Sequence, residues 1–140
     1  MKRALLAIAL AACAPQATSV PPSPPPVTVE DLGAELRRLR AIPGHFGGGA
    51  WNDDVDGFQG RKHVVMEALE RQLARATRAH VVEVMGPPDA VARPGEPWWQ
   101  GETQAATVRL VYYWRGRHDV LYFDMRGDAV VGSGWWMAGE

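Results

Sequence analysis

Cysteine is nearly missing from this chain: its 140 residues include one, Cys13. A single thiol cannot close an internal disulfide, so stability has to come from packing. A basic surplus is missing as well. Fifteen Lys and Arg stand against sixteen Asp and Glu, a formal net charge of −1. Phosphate binding needs a clustered positive excess, which argues against nucleic acid as a partner. Past the N-terminus there is no apolar run near the roughly 20 residues of a membrane helix. Enzyme signatures are also lacking. Gly47-Gly48-Gly49 is not followed by the Lys-Ser/Thr of a phosphate loop, and neither a nucleophile elbow nor a zinc motif occurs. Neither catalysis nor a cofactor is therefore expected.

What is present begins at the N-terminus. Lys2 and Arg3 precede an apolar run over residues 4–10, and Leu10-Ala11-Ala12-Cys13 resembles a bacterial lipobox. A positive start, a short apolar stretch and small residues before a cut mark a secretory signal. Residues 1–12 are thus predicted to be removed. By that resemblance Cys13 receives a diacylglyceryl group on its sulfur and a palmitate-type acyl chain on its amine. Each buried methylene contributes about 0.8 kcal/mol, so several chains anchor stably where one is marginal. Losing Lys2 and Arg3 leaves 13 basic against 16 acidic residues, a net charge near −3. Ala14 is not the Asp that signals inner-membrane retention, so the resemblance implies the outer membrane. Residues 14–27 contain six prolines and almost no large apolar side chain. They read as a stiff tether, about 40 Å long at the ~3.1 Å per residue of polyproline geometry.

Residues 28–140 read as one α+β domain. A first helix is predicted over residues 29–42, with Thr28 as N-cap and Leu32, Leu36, Leu39 and Ile42 on one face. Arg37, Arg38 and Arg40 fall on or beside the opposite face and read as solvated. A second helix is predicted from about residue 60 to 78, carrying Val65, Met66, Leu69 and Leu73. A shorter third follows over 78–85, capped by Thr77 and stopped by Gly86-Pro87-Pro88. The period then changes to alternation over residues 107–114, 120–125 and 129–136, with short glycine-bearing joints, and an edge strand is expected near 89–93. Two or three helices should therefore pack on a three- to four-stranded antiparallel meander. Residues 94–104, with Trp98 and Trp99, read as a long loop. Adjacent residues on a strand face opposite ways, so one ring of Trp135 and Trp136 should lie outside the core.

The polar residues concentrate in loop 44–63. Asn52, Asp54, Asp56 and Gly57 match the first half of a calcium loop, but position twelve is His63 where a bidentate Glu is needed. His45 and His63 with Asp54 or Asp56 have the ligand types of a transition-metal site without a recognised spacing. A histidine and carboxylate could also work as an acid and base pair. The structural reading is simpler: glycines turn the backbone, Asp and Asn cap turns, and Phe46, Trp51 and Phe58 dock the loop on the core. His80 and His118 read as surface residues.

Val81, Val84, Met85-Gly86-x-Pro88-Asp89, the aromatic strand Tyr112-Tyr113-Trp114, Leu121-Tyr122-Phe123-Asp124 and a glycine turn into Val130-Val131 resemble the small outer-membrane lipoproteins of the SmpA/OmlA (BamE-like) type. The likeness covers about residues 77–136. It implies a two-layer α+β domain and an accessory role in assembling outer-membrane proteins. Residues 44–60 have no counterpart in that short domain. The function expected is thus a lipid-anchored envelope protein, held to the membrane by Cys13, that binds envelope proteins such as barrel-assembly subunits. Trp51, Asp54, Asp56, Trp98, Trp99 and Trp136 are the candidate contact residues. The alternative is a small-ligand or metal-binding domain, even a hydrolytic one, centred on His45, Asp54, Asp56 and His63.

Overall fold

The computed structural model describes residues 27–99 and 106–138; Cys13 and the proline-rich segment lie outside them. The order is α1 (Val29–Arg40), a 3-10 turn (His45–Gly47), a single helical turn α2 (Asp53–Asp56), α3 (Arg61–Leu73), α4 (Arg78–Met85), then strands β1 (Ala90–Ala92), β2 (Val108–Arg115), β3 (Asp119–Arg126) and β4 (Ala129–Met137). The fold is α+β, helices first and a four-stranded antiparallel sheet after, in the order β1-β2-β3-β4.

Helix α1 starts at a reciprocal cap. The Thr28 hydroxyl accepts the Asp31 N–H at 3.1 Å and the Asp31 carboxylate accepts the Thr28 N–H at 3.2 Å. Leu36 and Leu39 are buried, whereas Leu32 and Ile42 pack at the margin. The backbone of α1 lies directly on α4. A Cβ at Gly33 would sit 2.5 Å from the Val84 carbonyl oxygen.

Arg37 and Arg38 of α1 are exposed, as a solvated face requires, but Arg37 and the half-buried Arg40 also reach back to α4. Arg37 donates to the Val84 carbonyl at 2.7 Å, and Arg40 donates to the carbonyls of Met85 and Pro87 and to Asp89. The Val84 and Met85 carbonyls are ones that the end of α4 leaves without intrahelical donors. Arg38 alone points away, paired with Glu35.

The second predicted helix stops at Leu73, five residues early. Residues 76–78 are taken by the sheet instead: Val130 N–H donates to the Ala76 carbonyl and Arg78 N–H to the Asp128 carbonyl. Thr77, bridged to Ala129, caps α4 by accepting the His80 N–H. Backbone pairing at the start of β4 therefore outcompetes helix propensity.

On the inner sheet face Leu110, Tyr112 and Trp114 of β2 stand with Leu121, Phe123 and Met125 of β3 against Leu36, Leu39, Met66, Leu69, Leu73, Val81 and Met85 of the helices. The tryptophan pair divides as strand geometry requires. Trp135 packs on the core and donates to Glu70 at 2.8 Å, while Trp136 meets Trp98 on the far side of the sheet. Among the described residues that far side carries no helix, and Trp98 and Trp99 lie over it.

Candidate functional site

The outer sheet face is organised around an ion pair. Arg109 on β2 lies opposite Asp124 on β3, and the two make a bidentate contact, Nε to Oδ1 at 2.7 Å and Nη2 to Oδ2 at 3.1 Å. Both are about 2% exposed. The guanidinium lies between two rings, 3.7 Å from the centre of Tyr122 and 5.1 Å from that of Trp99. Stacking with a planar bidentate acid is a geometry that arginine supports and lysine does not. Gly134 makes the room: a Cβ there would lie 2.6 Å from the Tyr122 hydroxyl.

Arg109 also holds the covering segment, donating from Nη1 to the Trp98 carbonyl at 2.7 Å. Trp98 has φ 72°, a left-handed conformation costly for so bulky a side chain. Held there, its indole meets Trp136 edge-on at 5.2 Å and Tyr113 at 5.9 Å. Trp98, Trp99, Trp136 and Tyr113 are each half-buried. The sequence pattern did place Trp98, Trp99 and Trp136 among contact candidates, and the structure brings Trp98 and Trp136 together. It missed Arg109 and Asp124. Their signal was a charge at one position of each of two apolar strands, on the face away from Leu110 and Phe123.

The second concentration of polar groups lies around loop 44–63. Asp56 is 1% exposed, and its Oδ2 accepts the backbone N–H of His45 and of Asn52, each at 2.9 Å. It organises the loop rather than facing a ligand. Gly44 is required beside it, because a Cβ would lie 2.3 Å from Asp56 Oδ1. Asn52 caps α2 by accepting the Asp54 N–H, and Asp54 is exposed.

The four metal candidates are not brought together. His63 is 1% exposed among the rings of Trp114 (4.2 Å), Phe58 (5.0 Å) and Trp135 (5.1 Å), and His45 sits at the surface. Among the described residues no group of three or more His, Cys, Asp or Glu could hold a metal ion. The His63 Nε2 lacks a hydrogen-bond partner, and the nearest acid, Glu67, is 3.9 Å away. Burial pushes its pKa down, with Glu67 pulling the other way. The loop aromatics dock unequally: Phe58 lays one face on His63 and Trp114 with the rest of its ring open, and Trp51 does not reach the core. Trp51 is 54% and Phe58 67% exposed, the Trp51 indole being tied to Asp53 at 2.7 Å, while Phe46 is half-buried against His118.

Between α1, this loop and β2 lies a cavity of about 190 Å³. Lys62, from the first turn of α3, reaches into its wall and donates to the Trp114 carbonyl at 2.8 Å. Burial lowers the amine from 10.5 to about 8, partly opposed by Asp89. Sequence reading missed Lys62 because a lysine in the first turn of an exposed-looking helix carries no mark of burial.

Among the described residues no helix is long and apolar enough to cross a membrane. Compared with protein-family models, with curated proteins and with solved structures, the chain gives no significant match.

Proposed function

We propose that this chain is a lipid-anchored protein of the bacterial envelope, tethered at the outer membrane through Cys13, whose domain binds another protein through its outer sheet face. The observation that carries the reading is the aromatic plate of Trp98, Tyr113 and Trp136. It stands on a sheet face that no helix among the described residues covers and is set on the buried Arg109–Asp124 pair. Tryptophan, tyrosine and arginine dominate binding hot spots because large, rigid, amphipathic rings bury much area at little entropic cost. Holding Trp98 at positive φ costs energy that the fold alone does not require, and such strain concentrates where a segment is positioned for contact.

The BamE-like pattern over residues 77–136 supports a partner among the barrel-assembly subunits. The test is affinity capture from mildly crosslinked, detergent-solubilised envelopes, comparing the tagged protein with Trp98→Ala/Trp136→Ala and with Cys13→Ser. Barrel-assembly subunits should be enriched with the parent chain and lost with the tryptophan variant. Equal enrichment with a folded tryptophan variant removes the outer face from the reading. A Cys13→Ser chain that still fractionates with membrane removes the anchor.

A further inference from the structure

The cavity beside Lys62 is not used by the protein-binding reading. At about 190 Å³ it greatly exceeds the ~10–15 Å³ that one water needs and falls short of the ~300–1,000 Å³ of a drug-sized pocket. Three of its four charged groups are spent on the fold. Arg40 donates to Met85, Pro87 and Asp89; Asp89 accepts from Arg40 and from the Tyr113 N–H at 2.7 Å; Asp56 accepts two loop N–H groups. Lys62 differs. An ammonium has three donors, and one of them goes to the Trp114 carbonyl. The residue is 8% exposed, so water is scarce around the other two. Phe46, Val55 and Trp114 supply apolar wall.

We propose that this cavity binds a small carboxylate with a short apolar or aromatic body, its oxygens accepting from Lys62 Nζ and its body lying against Phe46 and Trp114. A charge-assisted bond in low dielectric is worth about twice a neutral one, which favours an anion over a neutral acceptor. Asp89 is paired with Arg40 and Asp56 Oδ2 is turned to two backbone N–H groups, so Lys62 is the charged group of the lining with donors left for a ligand.

The probe is benzoate, with benzamide as its uncharged counterpart, titrated into the purified chain and followed by the indole and amide N–H resonances. Trp114 reports on the cavity, since its indole donates to Val55 at its wall. Benzoate should shift the Trp114 and Gly44 signals and leave Trp136 unmoved, with binding about tenfold weaker for Lys62→Met, a loss of ~1.4 kcal/mol. Should that variant fail to fold, Gly47→Leu serves, because a Cβ at Gly47 meets open space at the cavity lining and a larger side chain there obstructs entry. Absence of any shift at about 20 mM benzoate, well above a millimolar Kd, overturns the proposal. So does equal binding of benzamide, or undiminished binding by the substituted chain. Each outcome is independent of protein capture through Trp98 and Trp136.

Discussion

Replacing Lys62 by methionine should stabilise this protein, although it deletes a buried hydrogen bond. A fall of the amine pKa from 10.5 to about 8 means that folding disfavours the charged over the neutral form by about 3 kcal/mol. Below pH 8 the amine is charged in both folded and unfolded chains, and the whole penalty is present. Between 8 and 10.5 the unfolded chain holds more protons than the folded one, so stability rises with pH across that window. Methionine keeps the aliphatic length and removes the charge. Against this, the Trp114 carbonyl loses its donor, which costs about 1–3 kcal/mol. The net expectation at pH 7 is a gain of about 1 kcal/mol, or roughly 4 °C in Tm for a domain of this size. The difference between parent and variant, from urea unfolding at pH 7, 8, 9 and 10, is the cleaner measurement. It cancels other titrations, including Tyr112, whose burial raises its pKa and removes stability above pH 10. The advantage of methionine should shrink steadily above pH 8 and reverse near pH 9. A difference that does not vary with pH would refute the reasoning, since Lys62 would then carry no burial penalty.

Gly33→Ala should destabilise by about 1–3 kcal/mol despite alanine's ~1 kcal/mol advantage in helices, because its Cβ would meet the Val84 carbonyl at 2.5 Å; thermal melts of this variant beside Gly47→Ala, which meets open space, check it. Asp124→Asn or Arg109→Met alone should cost about 3–5 kcal/mol by leaving its partner's charge buried. The double variant Arg109→Met/Asp124→Leu should recover more than half of that in denaturant titration, and strict additivity would contradict it. His63 is held neutral by burial, so its folded pKa lies below the unfolded value of 6.5. The unfolded chain then takes up the proton first as pH falls below 6.5, and stability declines. His63→Leu should flatten the stability profile between pH 6.5 and 5; an unchanged slope would assign it to other groups.

Periodicity made most of this architecture legible. Alternation over residues 107–114 and 129–136 corresponds to β2 and β4, and the Thr28 cap and the split of Trp135 from Trp136 were readable from local rules alone. What failed was non-local. The end of α3 depends on Val130 and Asp128, more than fifty residues away, claiming the backbone of Ala76 and Arg78. Helix phase places the α1 arginines at the surface, where Arg37 and Arg38 are exposed, but it does not show that Arg37 and Arg40 are long enough to turn their guanidinium groups back to α4. In loop 44–63 the acids looked like ligands by spacing. Asp56 is instead consumed by two backbone donors, a use that spacing cannot separate from coordination.

Lys62, the backbone of Trp98 and the Arg109–Asp124 pair share one property. Each breaks a local preference: an ammonium buried at 8% exposure, a tryptophan at φ 72°, and two charges placed inside apolar strands. A sequence selected for folding alone has no reason to keep all three, since an apolar side chain at 62, a glycine at 98 and a hydrophobic pair at 109 and 124 would each serve stability at least as well. Such disagreements between local and global preference are informative about selection for something other than stability. Tyr113 stands between them. Its ring packs on Trp98, its N–H binds Asp89, and it lines the cavity that Lys62 enters. Tyr113 is thus the residue of β2 that borders both the aromatic face and the lysine cavity, while the groups that define each, Arg109 with Asp124 and Lys62, lie apart on different elements.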